Sequence, residues 1–140
     1  MLVSRKVLCA VYVVIALVAL IATWSQNILF FNGGGSFLGF WQATKVNPAS
    51  RSITVDIALF LLSVAILMVI EARRVGVKFV WAYIVAGFLI AISVAFPLFL
   101  LARELRLEKS DATQLSNRDS MLLALLAGFT LAFTIWVDVA

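Results

Sequence analysis

The groups in this chain that could do chemistry are few: seven carboxylates, eleven lysines and arginines, one cysteine and no histidine. Without histidine there is no Ser-His-Asp or Cys-His nucleophile, no His-ligated zinc or haem, and no imidazole proton switch. Cys9 alone cannot close an intramolecular disulfide. No grouping of residue types has metal-site spacing, so neither a metal nor a cofactor is expected. Among the carboxylates Asp56 stands out, because it falls within an apolar stretch. A charge at the centre of a membrane span costs about 2.5–3.5 kcal/mol on insertion scales, and such residues are often proton or ligand sites. Asp56 also lies close to where its helix should begin, where the helix dipole and nearby Arg51 offer an ordinary ion-pair role. Glu71 follows fifteen residues later, about 22 Å along a helix, so the two carboxylates cannot work as a pair. Glu104 lies on yet another segment. Spacing places no two of these acids together for acid–base work, and no enzymatic activity is expected.

Other positions suggest docking rather than catalysis. Glu71, Arg73 and Arg74 close an apolar run and form a patch suited to anionic lipid or a partner subunit, or a solvated anchor. Phe30, Phe31 and Trp41 flank the run Gly33-Gly34-Gly35. That glycine run lacks the lysine and the strand-to-helix setting of a phosphate loop. It suits a loop at the membrane interface, either as a cover for the helix ends or as a seat for a partner. Pro97, inside a long apolar run, predicts a kink, with Ser93 four residues back able to bond the loosened backbone.

The elements that must carry these residues are membrane helices. The chain is 64% hydrophobic and 13% charged, against ~45–50% and ~25% in soluble domains. Its basic residues flank apolar runs, as in membrane proteins, so nucleic acid is not an expected partner. Residues 1–140 read as one transmembrane domain with spans at about 7–24, 53–71, 79–101 and 120–137, each near bilayer length. The first is longer than a signal-peptide core and is taken as retained. Turn formers from Asn27 to Pro48 predict a long interfacial loop between the first two spans. The short polar link between the second and third predicts an antiparallel hairpin. Ser52 or Thr54 could cap the second helix, and Ser116, Asn117 or Asp119 the fourth.

The fold class is therefore all-α: an integral-membrane, antiparallel four-helix bundle. Four crossings would put both termini on one side. Arg5, Lys6, Arg73, Arg74 and Lys78 would share that side, facing Lys45, Arg51, Arg103, Arg106, Lys109 and Arg118. That tally is nearly even. The basic start of the first span favours cytoplasmic termini. Trp24 and Trp41 would mark one interface, and Trp81, Tyr83 and Trp136 the other. Small residues four apart let helices approach closely in lipid. Gly87, Ala91 and Ala95 form one such row and Ala124, Gly128 and Ala132 another. The two rows are expected to face protein, and each other.

The order of these features resembles a known family. Asp56 opens the second span and Glu71-Ala72-Arg73-Arg74 closes it. Phe96-Pro97-Leu98-Phe99-Leu100 with Arg103-Glu104 closes the third. This pattern, over roughly residues 7–108, is similar to an uncharacterised family of small bacterial membrane proteins catalogued as a domain of unknown function. The resemblance implies a multi-span protein of the bacterial plasma membrane and no particular activity. The residues point to a small accessory subunit that binds and stabilises or regulates a larger membrane complex, its partners being lipids and other integral subunits. The alternative is an oligomeric carrier, channel or binder of a small or lipidic molecule, with Asp56 and the Pro97 kink as working parts.

Overall fold

The computed structural model describes residues 4–108, 111 and 114–139, and no strand occurs among them. Its elements are α1 (Arg5–Asn32), α2 (Phe37–Ala43), α3 (Pro48–Val75), α4 (Val80–Ala86), a π-helical turn (Gly87–Ala91), α5 (Ile92–Arg106) and α6 (Asn117–Asp138). Short polar side chains set four of the helix starts. Ser4, Ser36 and Ser116 accept from the N–H groups of Val7, Gly39 and Asp119. Asn47 and Ser50 form a reciprocal capping box around Pro48. Each satisfies donors that a helix start leaves unpaired, and proline fits the first helical position. At the end of α3, Gly76 has φ +84°, and Ala72 accepts from both Gly76 and Val77. Only glycine adopts that left-handed stop without strain.

Four stretches are long and apolar enough to cross a bilayer: Arg5–Asn32, Pro48–Val75, Val80–Arg106 and Asn117–Asp138. The third is not one rod. Ala91 has extended backbone, with φ −176° and ψ 140°, and the chain doubles back there. The Tyr83 and Phe99 rings, sixteen residues apart, meet edge to face at 5.8 Å. In a straight helix their Cα atoms would be separated by about 24 Å along the axis. Gly87 lies at the tip, where an added Cβ would stand 2.9 Å from Ile92 Cδ1 and 3.9 Å from Ala95 Cβ. The two limbs are thus half-length helices, α5 being about 22 Å long. The break at Ala91 leaves helical carbonyls without the N–H groups of the next turn. Trp24, reaching across from α1, donates its indole N–H to the Ile90 carbonyl at 3.0 Å.

This hairpin forms the core. One limb runs antiparallel to α1, with Trp24 beside Ile90 and Arg5 beside Leu107. The other packs on the last turns of α3, where Val64, Met68 and Ala72 meet Val80, Ile84 and Phe99. α6 lies outside, and none of its described residues is buried.

Several expectations change. The loop between the first two spans is largely helix: α1 continues to Asn32, α2 intervenes, and α3 starts at Pro48. Its cap is Asn47 rather than Ser52 or Thr54, which puts Asp56 two turns inside the helix instead of in its first turn. Pro97 is buried within α5, and the fold-back of the third stretch lies at Ala91, six residues before it. The rows of small residues do not face each other. Gly87 and Ala95 close the hairpin on itself, while a Cβ on Gly128 would meet nothing within 4 Å. The Asp138 carbonyl accepts from Gln26 at 3.2 Å, about 32 Å along α1 from Arg5. Ser4 and Asp138 therefore lie at opposite ends of α1, not on a shared side. Trp136, next to Asp138, joins the end of Trp24 rather than that of Trp81.

Two substitutions test the hairpin by unfolding in detergent. Trp24→Phe keeps the ring but removes the donor to Ile90, and should cost about 1–3 kcal/mol. Gly87→Leu should cost about 1–3 kcal/mol by wedging the tip, whereas Gly128→Leu, facing open space, should stay within about 0.5 kcal/mol.

Candidate functional site

Three helix ends converge beside the start of α1, and their charged side chains form a connected cluster. On α1, Arg5, Cys9, Tyr12 and Ala16 recur at intervals of four, three and four residues, the spacing of one helix face. That face meets α5, and Ala16 is buried. The last turn of α5 supplies Arg103 and Glu104, and the last turns of α3 supply Glu71 and Arg74. Glu71 binds both arginines. Arg74 donates to its two carboxylate oxygens at 2.8 and 2.9 Å, and Arg103 Nε donates to Oε2 at 2.6 Å. Glu104 is fully buried. Its oxygens lie 3.7 Å from Arg103 Nη1 and 4.0 Å from Arg5 Nε. Arg5 also donates to the carbonyls of Leu107 (2.8 Å) and Glu108 (3.3 Å) at the end of α5. There its positive charge faces the negative end of the helix dipole.

The arrangement fixes register more directly than it performs a reaction. Carboxylate and guanidinium alternate from Arg5 through Glu104, Arg103 and Glu71 to Arg74, tying α1, α5 and α3 together at one depth. A buried carboxylate is tolerated only where cations and hydrogen bonds compensate its lost hydration. Among the described residues no group of His, Cys, Asp and Glu could hold a metal ion.

The other sequence-derived candidates lie apart from this cluster. Asp56 is exposed on α3, and Arg51 donates instead to the Lys45 carbonyl at 2.9 Å. Arg73 is exposed beside Arg74. Phe30, Phe31 and Trp41 do come together, around Phe40, with ring centroids 5.5–6.0 Å apart. They form an aromatic knot between the end of α1 and α2. A shallow apolar groove of about 250 Å³ runs along the hairpin, between Ala82 and Ala86 on one limb and Val94 and Leu98 on the other.

Sequence reading found Glu71, Arg73 and Arg74 as a patch and set Glu104 aside. It missed the Arg5–Glu104 and Arg103–Glu71 pairings, which join residues 99 and 32 positions apart. The available signal was Glu104 itself, an acid flanked by Arg103 and Leu105 in a stretch otherwise assigned to solvent.

Arg103→Gln should cost about 3–5 kcal/mol in detergent unfolding, because it strips cations from a buried carboxylate. Adding Glu104→Gln should restore about 0.5–3 kcal/mol of that loss, read as the coupling term of a double-mutant cycle. Asp56→Asn, which touches none of these groups, should leave stability within about 0.5 kcal/mol.

The matched part of the chain holds most of this region, without Arg5 and Cys9. The model of a family described as Protein of unknown function DUF2834 matches residues 11–105, from α1 through Glu104. No curated protein matches, and no solved structure matches. α6 lies beyond the matched stretch. With about two thirds of its length covered, including Glu71, Arg74, Arg103 and both limbs of the hairpin, the chain belongs to the DUF2834 family.

Proposed function

We propose that this protein is a small accessory subunit of the bacterial plasma membrane, which binds and stabilises or regulates a larger integral-membrane complex. The observation that carries the reading is α6. It is 22 residues long, and none of its described residues is buried in the chain's own core. Ala124, Gly128 and Ala132 are all exposed on it. Small residues at that spacing let a second helix approach closely enough for backbone contact in lipid. The charged cluster supports the same reading, because its carboxylates are engaged with arginines of the same chain. Arg73 remains exposed beside it, and Phe30, Phe31 and Trp41 offer an aromatic surface at the opposite end.

A second reading rests on the hairpin groove. Its walls, Ala82, Ala86, Val94 and Leu98, suit an acyl or isoprenoid chain, and an oligomeric binder or carrier of such a molecule would use it. Asp56 would then be the polar contact, and Asp56→Asn should lower ligand binding or transport.

Purification in mild detergent at native expression level decides between the readings. An accessory subunit should bring a second membrane protein with it. Gly128→Leu with Ala124→Leu should release that protein while leaving the chain's own unfolding midpoint unchanged. A chain that runs alone as a monomer, with no co-purifying protein, counts against the subunit reading.

A further inference from the structure

The hairpin redistributes charge along the membrane normal. In a four-crossing chain Arg103 and Arg106 would lie opposite Arg5. Because the third apolar stretch returns at Ala91, they lie beside it instead. Arg5, Lys6, Arg73, Arg74, Lys78, Arg103 and Arg106 are thus gathered at one end, while Lys45 and Arg51 stand at the other, beyond the end of α1. Of the acids at the crowded end, Glu108, Asp111 and Asp119 are exposed and offset part of this charge. Glu71 and Glu104 are turned onto Arg74, Arg103 and Arg5. Lys6, Arg73, Lys78 and Arg106 are exposed.

We propose that this end seats on the anionic headgroups of the cytoplasmic leaflet, and that the chain crosses the bilayer three times. α1, α3 and α6 are the crossings, α4 and α5 re-enter from the cytoplasmic side, and α6 ends on the opposite face. Three features support it together. Positive charge flanking short loops stays cytoplasmic, and eight described cations, Arg118 at the start of α6 included, against two is a strong bias where the four-crossing tally was nearly even. α5 is about 22 Å long, short of a hydrocarbon core of about 30 Å, so its tip stops inside the bilayer. Broken helix at that depth needs its backbone groups bonded within protein, and at the tip Trp24 of α1 bonds the Ile90 carbonyl, while the Phe88, Leu89 and Ile90 side chains face outward. The hydrogen bond from Gln26 to Asp138 then places the end of α6 at the far face. The partner is lipid rather than nucleic acid, because the cations ring the end of a membrane bundle and attract whatever anions share that plane.

The test uses the full-length chain in a bacterial inner membrane, with a fluorescent protein that matures only in the cytoplasm and a phosphatase active only outside it. Fused before residue 1, the fluorescent protein should be bright. Fused after residue 140, the phosphatase should be active and the fluorescent protein dark. Cytoplasmic signals from both ends would overturn the three-crossing topology. Arg73→Gln, Lys78→Gln and Arg106→Gln combined should raise the misoriented fraction severalfold, while lysine at positions 73 and 106 should not. An unchanged orientation in the neutralised variant would overturn the role of the basic surface. For the purified wild-type chain, phosphatidylglycerol added to detergent should raise the unfolding midpoint above that in phosphatidylcholine. The neutralised variant should lose this difference. Equal midpoints for the wild type would overturn the headgroup assignment. These readings do not depend on whether a partner protein co-purifies.

Discussion

Hydrocarbon supplies no hydrogen-bonding partner, so every backbone group at bilayer depth must find one within protein. This chain stops a helix at Ala91 and starts another at Ile92, inside its third apolar stretch. The molecule has to be organised around that break. Trp24 serves the Ile90 carbonyl from the neighbouring helix, and Gly87, Ile92 and Ala95 bring the two limbs within contact distance. α1 and α3 flank the hairpin, which is also why the buried residues cluster on its limbs and on the last turns of α3. Helices that cross lipid need no apolar burial against one another. α6 can accordingly stand outside the core without penalty.

A hairpin that returns to its starting side brings three helix ends to one depth, and the charges there become a single network. Glu104 would be costly to bury alone. Beside Arg5 and Arg103 it becomes a register mark between α1 and α5, and Glu71 extends the mark to α3. Arg74 pairs with Glu71 within α3, but the links from Arg103 to Glu71 and from Arg5 to Glu104 are tertiary. Fold and electrostatics therefore constrain one another. Loss of the hairpin would strand the charges, and loss of the charges would free the ends that hold the hairpin shut.

Function follows from what the chain leaves uncovered. Glu71 and Glu104 are engaged with arginines of the same chain, whereas α6 and the aromatic knot of Phe30, Phe31, Phe40 and Trp41 face outward. The match to the DUF2834 family covers the hairpin and Glu71, Arg74, Arg103 and Glu104 of the cluster, but neither Arg5 nor α6. The part that defines the fold and the part best placed to meet a partner are thus separate in the chain.

Composition and hydropathy alone determined the membrane class, the four apolar stretches and the antiparallel start of the α3–α4 pair. Those properties belong to local runs of side chains and to the link at Gly76. The cap at Ser116 was legible too, whereas Asn47-Pro48 was read as loop because Asn27 and the glycine run suggested an earlier stop, and the cap was sought at Ser52 or Thr54. The fold-back at Ala91 could not be read. Its flanking residues are ordinary helix formers, and the compensating donor, Trp24, lies 66 residues away from Ile90. The charge cluster and the opposite placement of Ser4 and Asp138 were hidden for the same reason. Each depends on which helix ends share a depth, and only the tertiary path through the hairpin decides that.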